Sequence, residues 1–247
     1  MGGLPPSQVR PATAAVITGS GMEVLFSVKR VRKVRTKYGP VTAYLCSTGR
    51  TDFFFIPRHG RGHEVPPHRI NFKANLHALS ALGVRSIIAT GAVGSISQKL
   101  QVGEVGLLDQ FIDMSKRHVT FFDARPVHVD MTHPYDRSLQ QEVARAASSA
   151  RITLNRGLTY VSVDGPRYET AAEVRMFGML GGDVVGMTGA PEAILANELG
   201  IKYASIVVAT NRGAGMQEKV SHEEVVALMA RAAPKLKRII EDTIDAL

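Results

Sequence analysis

The 247-residue chain holds a single cysteine, Cys46, and no linker, internal repeat or low-complexity block. It also has no apolar run approaching the roughly 18 residues that a membrane span requires. A lone cysteine closes no internal disulfide, which suits a reducing compartment, so the cytoplasm is the expected location. The first eleven residues, MGGLPPSQVRP, lack the apolar stretch of a secretory signal and read as a flexible tail, leaving 12–247 as one expected domain. With 45% hydrophobic and 21% charged residues, the composition excludes collagen-like, disordered and disulfide-rich classes. A chain of this length can bury a substantial core.

Acidic residues are the minority charge: 22 Asp and Glu face 30 Lys and Arg, a net +8. Six of the bases fall in one short run, Lys29, Arg30, Arg32, Lys33, Arg35 and Lys37. That run has no interleaved aromatics, no Gly-Arg repeats and no zinc-ligand spacing, so it does not read as a nucleic-acid surface. Val28, Val31 and Val34 recur within it, which suits an edge strand whose solvated lysines discourage pairing with other chains.

Apolar runs rich in β-branched and aromatic residues predict strands at 14–18, 41–47, 52–57, 86–90, 106–112, 158–163, 183–187 and 204–210. Several are apolar throughout, as expected of central strands covered on both faces. Helix signals lie between them. Pro67 precedes a stretch that Gly83 closes, and Pro191 opens a short helix ending at Gly200. Thr170-Ala-Ala-Glu173 and Ser221-His-Glu-Glu224 both have capping-box spacing, the second ahead of a long terminal helix. The alternation predicts a single α/β domain with a mixed sheet.

Four predicted loops concentrate glycine with polar residues. Thr18-Gly19-Ser20-Gly21 suits either a tight turn or an anion site, where bare backbone N–H groups and the Ser20 hydroxyl would converge. In Arg58-His59-Gly60-Arg61-Gly62-His63, Arg58 can hold phosphate through two parallel N–H bonds and His59 can add a donor. The same segment admits a metal site at His59, His63 and His68, a histidine-phosphatase nucleophile at His59, or an unremarkable surface loop. Thr90–Ser95 is small and glycine-rich, as a strand-end turn or a ligand-approach loop would be. The last set joins 163–169, Gly186-Met187-Thr188 and 209–215. It offers the Tyr168 ring, the Glu169 carboxylate and the Asn211 amide, each of which also has an ordinary structural use.

Three segments, RHGRGHEVPPHRINFKANLHAL (58–79), GPRYETAAE (165–173) and VVGMTGAPEAILANELGI (184–201), carry a resemblance to the trimeric purine nucleoside phosphorylase and methylthioadenosine phosphorylase family. The resemblance runs from about Ala14 to the C-terminus and implies a mixed, distorted central sheet flanked by helices. It implies phosphorolysis of a purine nucleoside by inorganic phosphate, with no metal or organic cofactor and no covalent enzyme intermediate. It further implies a homotrimer or a dimer of trimers, with no nucleic-acid or membrane partner. Carried over by motif, phosphate would meet Ser20, Arg58, His59, Ala92 and Thr188. Met187 would pack under the ribose, Tyr168 would line the base and sugar pocket, and His128 would reach a neighbouring subunit. One departure is Gly91, where methylthioadenosine phosphorylases carry threonine.

Hydrogen-bond logic then selects the base. A 6-oxopurine presents N1–H and O6, which match the Glu169 carboxylate and an Asn211 N–H; adenine presents the reverse pattern. Adenine-specific relatives carry an Asp pair at the positions of Asn211 and Gly213, which this chain lacks. His222 matches the histidine that meets a 5′-hydroxyl, favouring inosine and guanosine, whereas the Asn-x-x-Ala-Gly run at 211–215 keeps S-methyl-5′-thioinosine open and S-methyl-5′-thioadenosine stands further off. Asn211, Glu169 and His59 are the expected catalytic residues.

Overall fold

A computed structural model of the chain describes residues 10–219 and 221–247. Of the predicted tail, 1–9 lie outside the described residues, while Arg10 and Pro11 already belong to the first strand. Nine strands form one mixed sheet: β1 (Arg10–Thr18), β2 (Arg30–Thr36), β3 (Gly39–Ser47), β4 (Thr51–Pro57), β5 (Ser86–Ser95), β6 (Val105–Asp113), β7 (Asn155–Ser162), β8 (Val184–Gly186) and β9 (Lys202–Arg212). Five helices pack on it: α1 (Phe72–Ala81), α2 (Arg137–Ser149), α3 (Ala171–Met179), α4 (Gly189–Glu198) and α5 (His222–Ala246).

The strand order is β2-β3-β4-β1-β5-β8-β7-β6-β9, and β9 also pairs with β5. The second half of the sheet therefore curls back on itself, and this closure is the distortion that the mixed sheet shows. Continuous apolar runs follow from burial on both faces. Ala15, Ile17, Phe54, Ile56 and Ile87 point to the layer of α1 and α4, where Leu76, Leu79 and Leu195 meet them. Their neighbours Ala14, Val16, Phe53, Phe55 and Ile88 point to the layer of α2 and α5, against Leu139, Val143, Leu236 and Ile240. A smaller cluster seats Val174 and Phe177 of α3 on Ile96, Val161 and Val185.

Most of the basic run forms β2, an edge strand that among the described residues pairs with β3 alone. Its charges are solvated, Val34 packs against the core, and Val31 is 51% exposed. No helix among the described residues is long and apolar enough to cross a membrane.

Several predicted boundaries move. The run Thr90–Ser95, expected as a loop, is the second half of β5, because β9 pairs with it in parallel along its whole length. Its small residues let the strands lie close. Asn211 and Arg212, expected just beyond a strand, are the last residues of β9 for the same reason. Pro67 starts only a short 3-10 turn, Pro67–Arg69, and α1 begins after Asn71, whose side chain accepts from the Ala74 N–H at 3.0 Å. α4 begins two residues before Pro191. α2 was not among the predicted helices; Asp136 caps it through the Leu139 N–H, and Leu139, Val143, Ala146 and Ala147 form its buried stripe. That cap and that spacing were the signals available in the sequence.

The two predicted capping boxes part company. Thr170 and Glu173 satisfy each other's backbone N–H groups at 3.1 and 2.7 Å, ahead of α3. Ser221 makes no cap bond; its hydroxyl meets the Glu223 carboxylate instead. Thr170→Ala should therefore cost about 1 kcal/mol of folding stability, whereas Ser221→Ala should cost far less. Urea unfolding of the two variants checks the contrast.

Candidate active site

β1, β4, β5 and β9 are mutually parallel, so their carboxyl ends open on the same side of the sheet. Ligands in open α/β sheets bind at such ends. Here the ends deliver Gly19-Ser20, Arg58-His59, Gly91–Gly94 and Thr210-Asn211 into one cavity of about 420 Å³. The segments after β7 and β8 add Tyr168, Glu169, Met187 and Thr188, and the start of α5 adds His222. The cavity thus gathers Ser20, Arg58, His59, Ala92, Tyr168, Glu169, Met187, Thr188, Asn211 and His222 from distant parts of the sequence. Gly213 stands just behind the wall, its N–H donating to the Ser95 carbonyl at 2.8 Å. His128 does not join them: it is exposed, on the irregular segment between β6 and α2, and lines no part of this cavity.

Arg58 differs from its sequence reading. Its Nε and Nη2 donate to the two carboxylate oxygens of Glu192 at 2.6 and 3.0 Å, with the two side chains 2% and 1% exposed. Nη1 donates to the Thr90 carbonyl at 2.8 Å and Nη2 also reaches the Ile17 carbonyl at 3.4 Å. The forked edge expected to grip an anion is therefore held by Glu192, and of the five N–H donors one, on Nη1, is left over. Burial alone would lower the guanidinium pKa, but Glu192 beside it holds it above the ordinary value. Glu192 in turn accepts from the Tyr203 hydroxyl at 2.8 Å. Gly19 has to be glycine here, since a Cβ would sit 2.6 Å from Arg58 Nη1.

His59 also changes role. Its Nδ1 lies 2.7 Å from the Val65 carbonyl, which can only accept, so Nδ1 carries the hydrogen. Burial, reinforced by the Arg58 charge against the pull of the Val65 bond, brings the imidazole pKa down to about 4. At neutral pH the ring is uncharged and Nε2 presents a lone pair. It can meet a hydroxyl or a protonated phosphate oxygen, but it supplies no further donor.

His59 stacks on His63, with ring centroids 4.7 Å apart, and His63 on His222 at 5.2 Å. His63 holds a left-handed backbone, φ 56°, and its Nδ1 lies 2.6 Å from Glu23 Oε1. His68 is exposed and outside the cavity. Among the described residues no group of three or more His, Cys, Asp or Glu is arranged to hold a metal ion.

Thr188 precedes α4 but makes no side-chain cap. The Tyr160 hydroxyl performs that service, accepting from the Thr188 and Gly189 N–H groups at 3.1 and 3.2 Å, and burial pushes its pKa up to about 12. The Thr188 hydroxyl is thereby left for the cavity. On the opposite wall the β5–β9 register slips: Val93 pairs with Ala209 and Gly94 with Asn211, leaving Thr210 as an extra residue. Such a bulge breaks strand alternation, so consecutive Thr210 and Asn211 both line the cavity. Asn211 Oδ1 accepts from the Thr210 hydroxyl at 3.1 Å and Nδ2 donates to the Arg212 carbonyl at 2.8 Å, which orients the amide and leaves its second N–H available. Burial raises the Glu169 carboxyl above the usual carboxylate range, aided by Glu173 against its own backbone N–H and Arg167.

Glu192 and Tyr160 are not among the residues that the sequence singles out, and His63 enters there only as a candidate metal ligand. Glu192 is visible only as a charged residue early in an apolar helix, between Pro191 and the Ala-Ile-Leu-Ala run; Tyr160 offers no pattern of its own. Removing the carboxylate with Glu192→Ala strands a buried guanidinium and should cost about 3–5 kcal/mol in urea unfolding.

A family model described as the phosphorylase superfamily matches residues 13–245. A probable S-methyl-5′-thioinosine phosphorylase of Methanopyrus kandleri is 43% identical over 233 residues, covering 93% of this chain and 91% of that protein. A 6-oxopurine nucleoside phosphorylase of Pyrococcus furiosus is 42% identical over 237 residues, covering 92% and 89%. Among solved structures, methylthioadenosine phosphorylase from Schistosoma mansoni in complex with adenine superposes with a TM-score of 0.88 at 30% identity, covering 94% of this chain and 91% of that one.

Proposed function

This chain belongs to the phosphorylase superfamily and has nucleoside phosphorylase activity, and from that premise we propose that its substrates are the 6-oxopurine nucleosides inosine and guanosine. The observation that carries the choice is the pairing of Glu169 with Asn211 across one cavity. As a carboxylate, Glu169 accepts from N1–H, and the free Asn211 N–H donates to N7 or O6. Adenine would set its N1 lone pair against the carboxylate, and a mismatch of buried polar groups discriminates strongly. The relative from Pyrococcus furiosus bears the matching name.

Phosphate occupies the Ser20, Arg58, Ala92 and Thr188 side in this reading. Because Glu192 neutralises Arg58, phosphate is held by single N–H and O–H donors rather than by a net positive charge. His59 Nε2 accepts a hydrogen bond from the P–OH of hydrogen phosphate, which keeps its proton. An unprotonated phosphate oxygen attacks the anomeric carbon as its bond to purine N9 breaks, and the bonding electrons leave with the purine. Donation from Asn211 stabilises the negative charge on the departing base, while phosphate stabilises the oxocarbenium-like sugar that Met187 underlies. The departing purine anion takes up a proton from water, so the products are a free base and ribose 1-phosphate. No metal or organic cofactor enters this sequence of steps.

A second reading, S-methyl-5′-thioinosine, is favoured by the name of the Methanopyrus kandleri relative and by Val225, which lines the cavity beside His222. It shares the base and differs only at the 5′ end. Assembly as a homotrimer or dimer of trimers belongs to the same proposal, with His128, exposed outside its own cavity, available to a neighbour.

Base release from inosine, guanosine, adenosine and the two methylthio nucleosides, with and without phosphate, tests the assignment. Phosphate-dependent release of hypoxanthine and guanine is expected; rapid use of methylthioadenosine with none of inosine would overturn the base assignment. Glu169→Ala and Asn211→Ala should each lower kcat/KM for inosine by about a hundredfold or more. The pH profile carries a sign. Glu169 works as the carboxylate and its pKa is raised, so activity falls on acidification at a higher pH than an ordinary glutamate would dictate. In Glu169→Gln, that acid limb should vanish from kcat/KM measured from about pH 4.5 to 8.

A further inference from the structure

Arg117 lies on the irregular segment after β6, with its side chain 14% exposed, and it does not line the cavity. Its guanidinium nevertheless touches two parts of the cavity wall at once. Nε pairs with Asp164 Oδ1 at 3.0 Å and Nη2 donates to the Asp164 carbonyl at 2.5 Å, both on the segment leading to Tyr168 and Glu169. Nη1 donates to the Met187 carbonyl at 3.0 Å. The cation sits over the Phe72 ring, 5.4 Å from its centroid, at the start of α1. The second Asp164 oxygen accepts from the Lys116 N–H at 3.0 Å. The two joined segments also touch directly: Gly165 has φ +65°, and a Cβ there would collide with Met187 Sδ.

We propose that Arg117 is a positioning residue that locks the base-facing segment 164–169 to Met187 and so sets the nucleoside affinity of the site without contacting substrate. The inference rests on the reading that Tyr168 and Glu169 meet the base and Met187 the sugar. The planar fork reaches a carboxylate and two carbonyls together, which a lysine ammonium on a flexible stem cannot reproduce. The phosphate side hangs on other supports: Arg58 on Glu192, and Thr188 on the Tyr160 hydroxyl. Loss of the clamp therefore separates the two substrates kinetically.

The test uses whichever nucleoside the wild-type protein turns over, so an error in the inosine assignment does not decide it. Arg117→Ala and Arg117→Lys should both raise the nucleoside KM roughly tenfold or more, with the phosphate KM changed by less than about twofold. Added guanidinium should lower the raised KM of Arg117→Ala. Asp164→Asn, which keeps the carbonyl contacts and loses the ion pair, should move the nucleoside KM in the same direction by less, and it serves if Arg117→Ala does not fold. Equal shifts in both KM values, a fall in kcat with both KM values unchanged, or wild-type behaviour of Arg117→Lys would overturn the proposal. Full activity of Glu169→Ala would instead remove the reading of segment 164–169 on which it stands.

Discussion

The Arg58 guanidinium joins more of this molecule than any other polar group in the cavity wall. It follows β4, donates to carbonyls of β1 and β5, and forks onto Glu192 of α4, which also accepts from Tyr203 of β9. The attraction between two opposite charges taken out of water this fully offsets their desolvation only if their remaining donors and acceptors are also satisfied. Here they nearly all are, and that requirement dictates the surroundings. Gly19 must be bare to admit Nη1. The strand ends must arrive together for the carbonyls to be in reach. What is left over on Arg58 is one N–H, and the pair carries almost no net charge.

That near-neutrality gives the Arg58 side of the cavity its chemical character. With Arg58 balanced by Glu192 and His59 uncharged at neutral pH, recognition depends on the placement of single hydrogen bonds. Each is set from behind. The Tyr160 hydroxyl takes over the N-cap role at α4 and leaves Thr188 its own hydroxyl. Thr210 and the Arg212 carbonyl orient the Asn211 amide. The Val65 carbonyl fixes the His59 tautomer, and Glu23 meets the Nδ1 of His63. Preorganised dipoles of this kind stabilise charge that develops during a reaction without having to move.

Legibility from sequence divides along physical lines. β1, β4 and the terminal helix were readable because burial on two faces, or on one stripe, writes a long apolar pattern into the chain. The ends of β5 and β9 were not. Gly91, Ala92 and Gly94 are poor strand formers taken alone, and they are strand because β9 pairs with them. Arg58, Glu169 and Asn211 stood out as polar residues near predicted strand ends, so their presence in one cavity was an inference available early. Glu192, Tyr160 and Arg117 were invisible in their roles, because each acts through a partner more than 25 residues away in sequence, and no local spacing encodes such a contact.

By itself, then, the sequence determined the layered α/β class, the solvated basic edge, the family and the inventory of groups available for chemistry. These follow from composition, periodicity and motifs, which are properties of contiguous residues. Tertiary structure alone decided what those groups can do. It bound the Arg58 fork to Glu192, left His59 an acceptor, and used a bulge to bring both Thr210 and Asn211 to one wall. The reason is that a donor's direction, an imidazole's charge and a strand's register depend on partners brought close only when the chain folds.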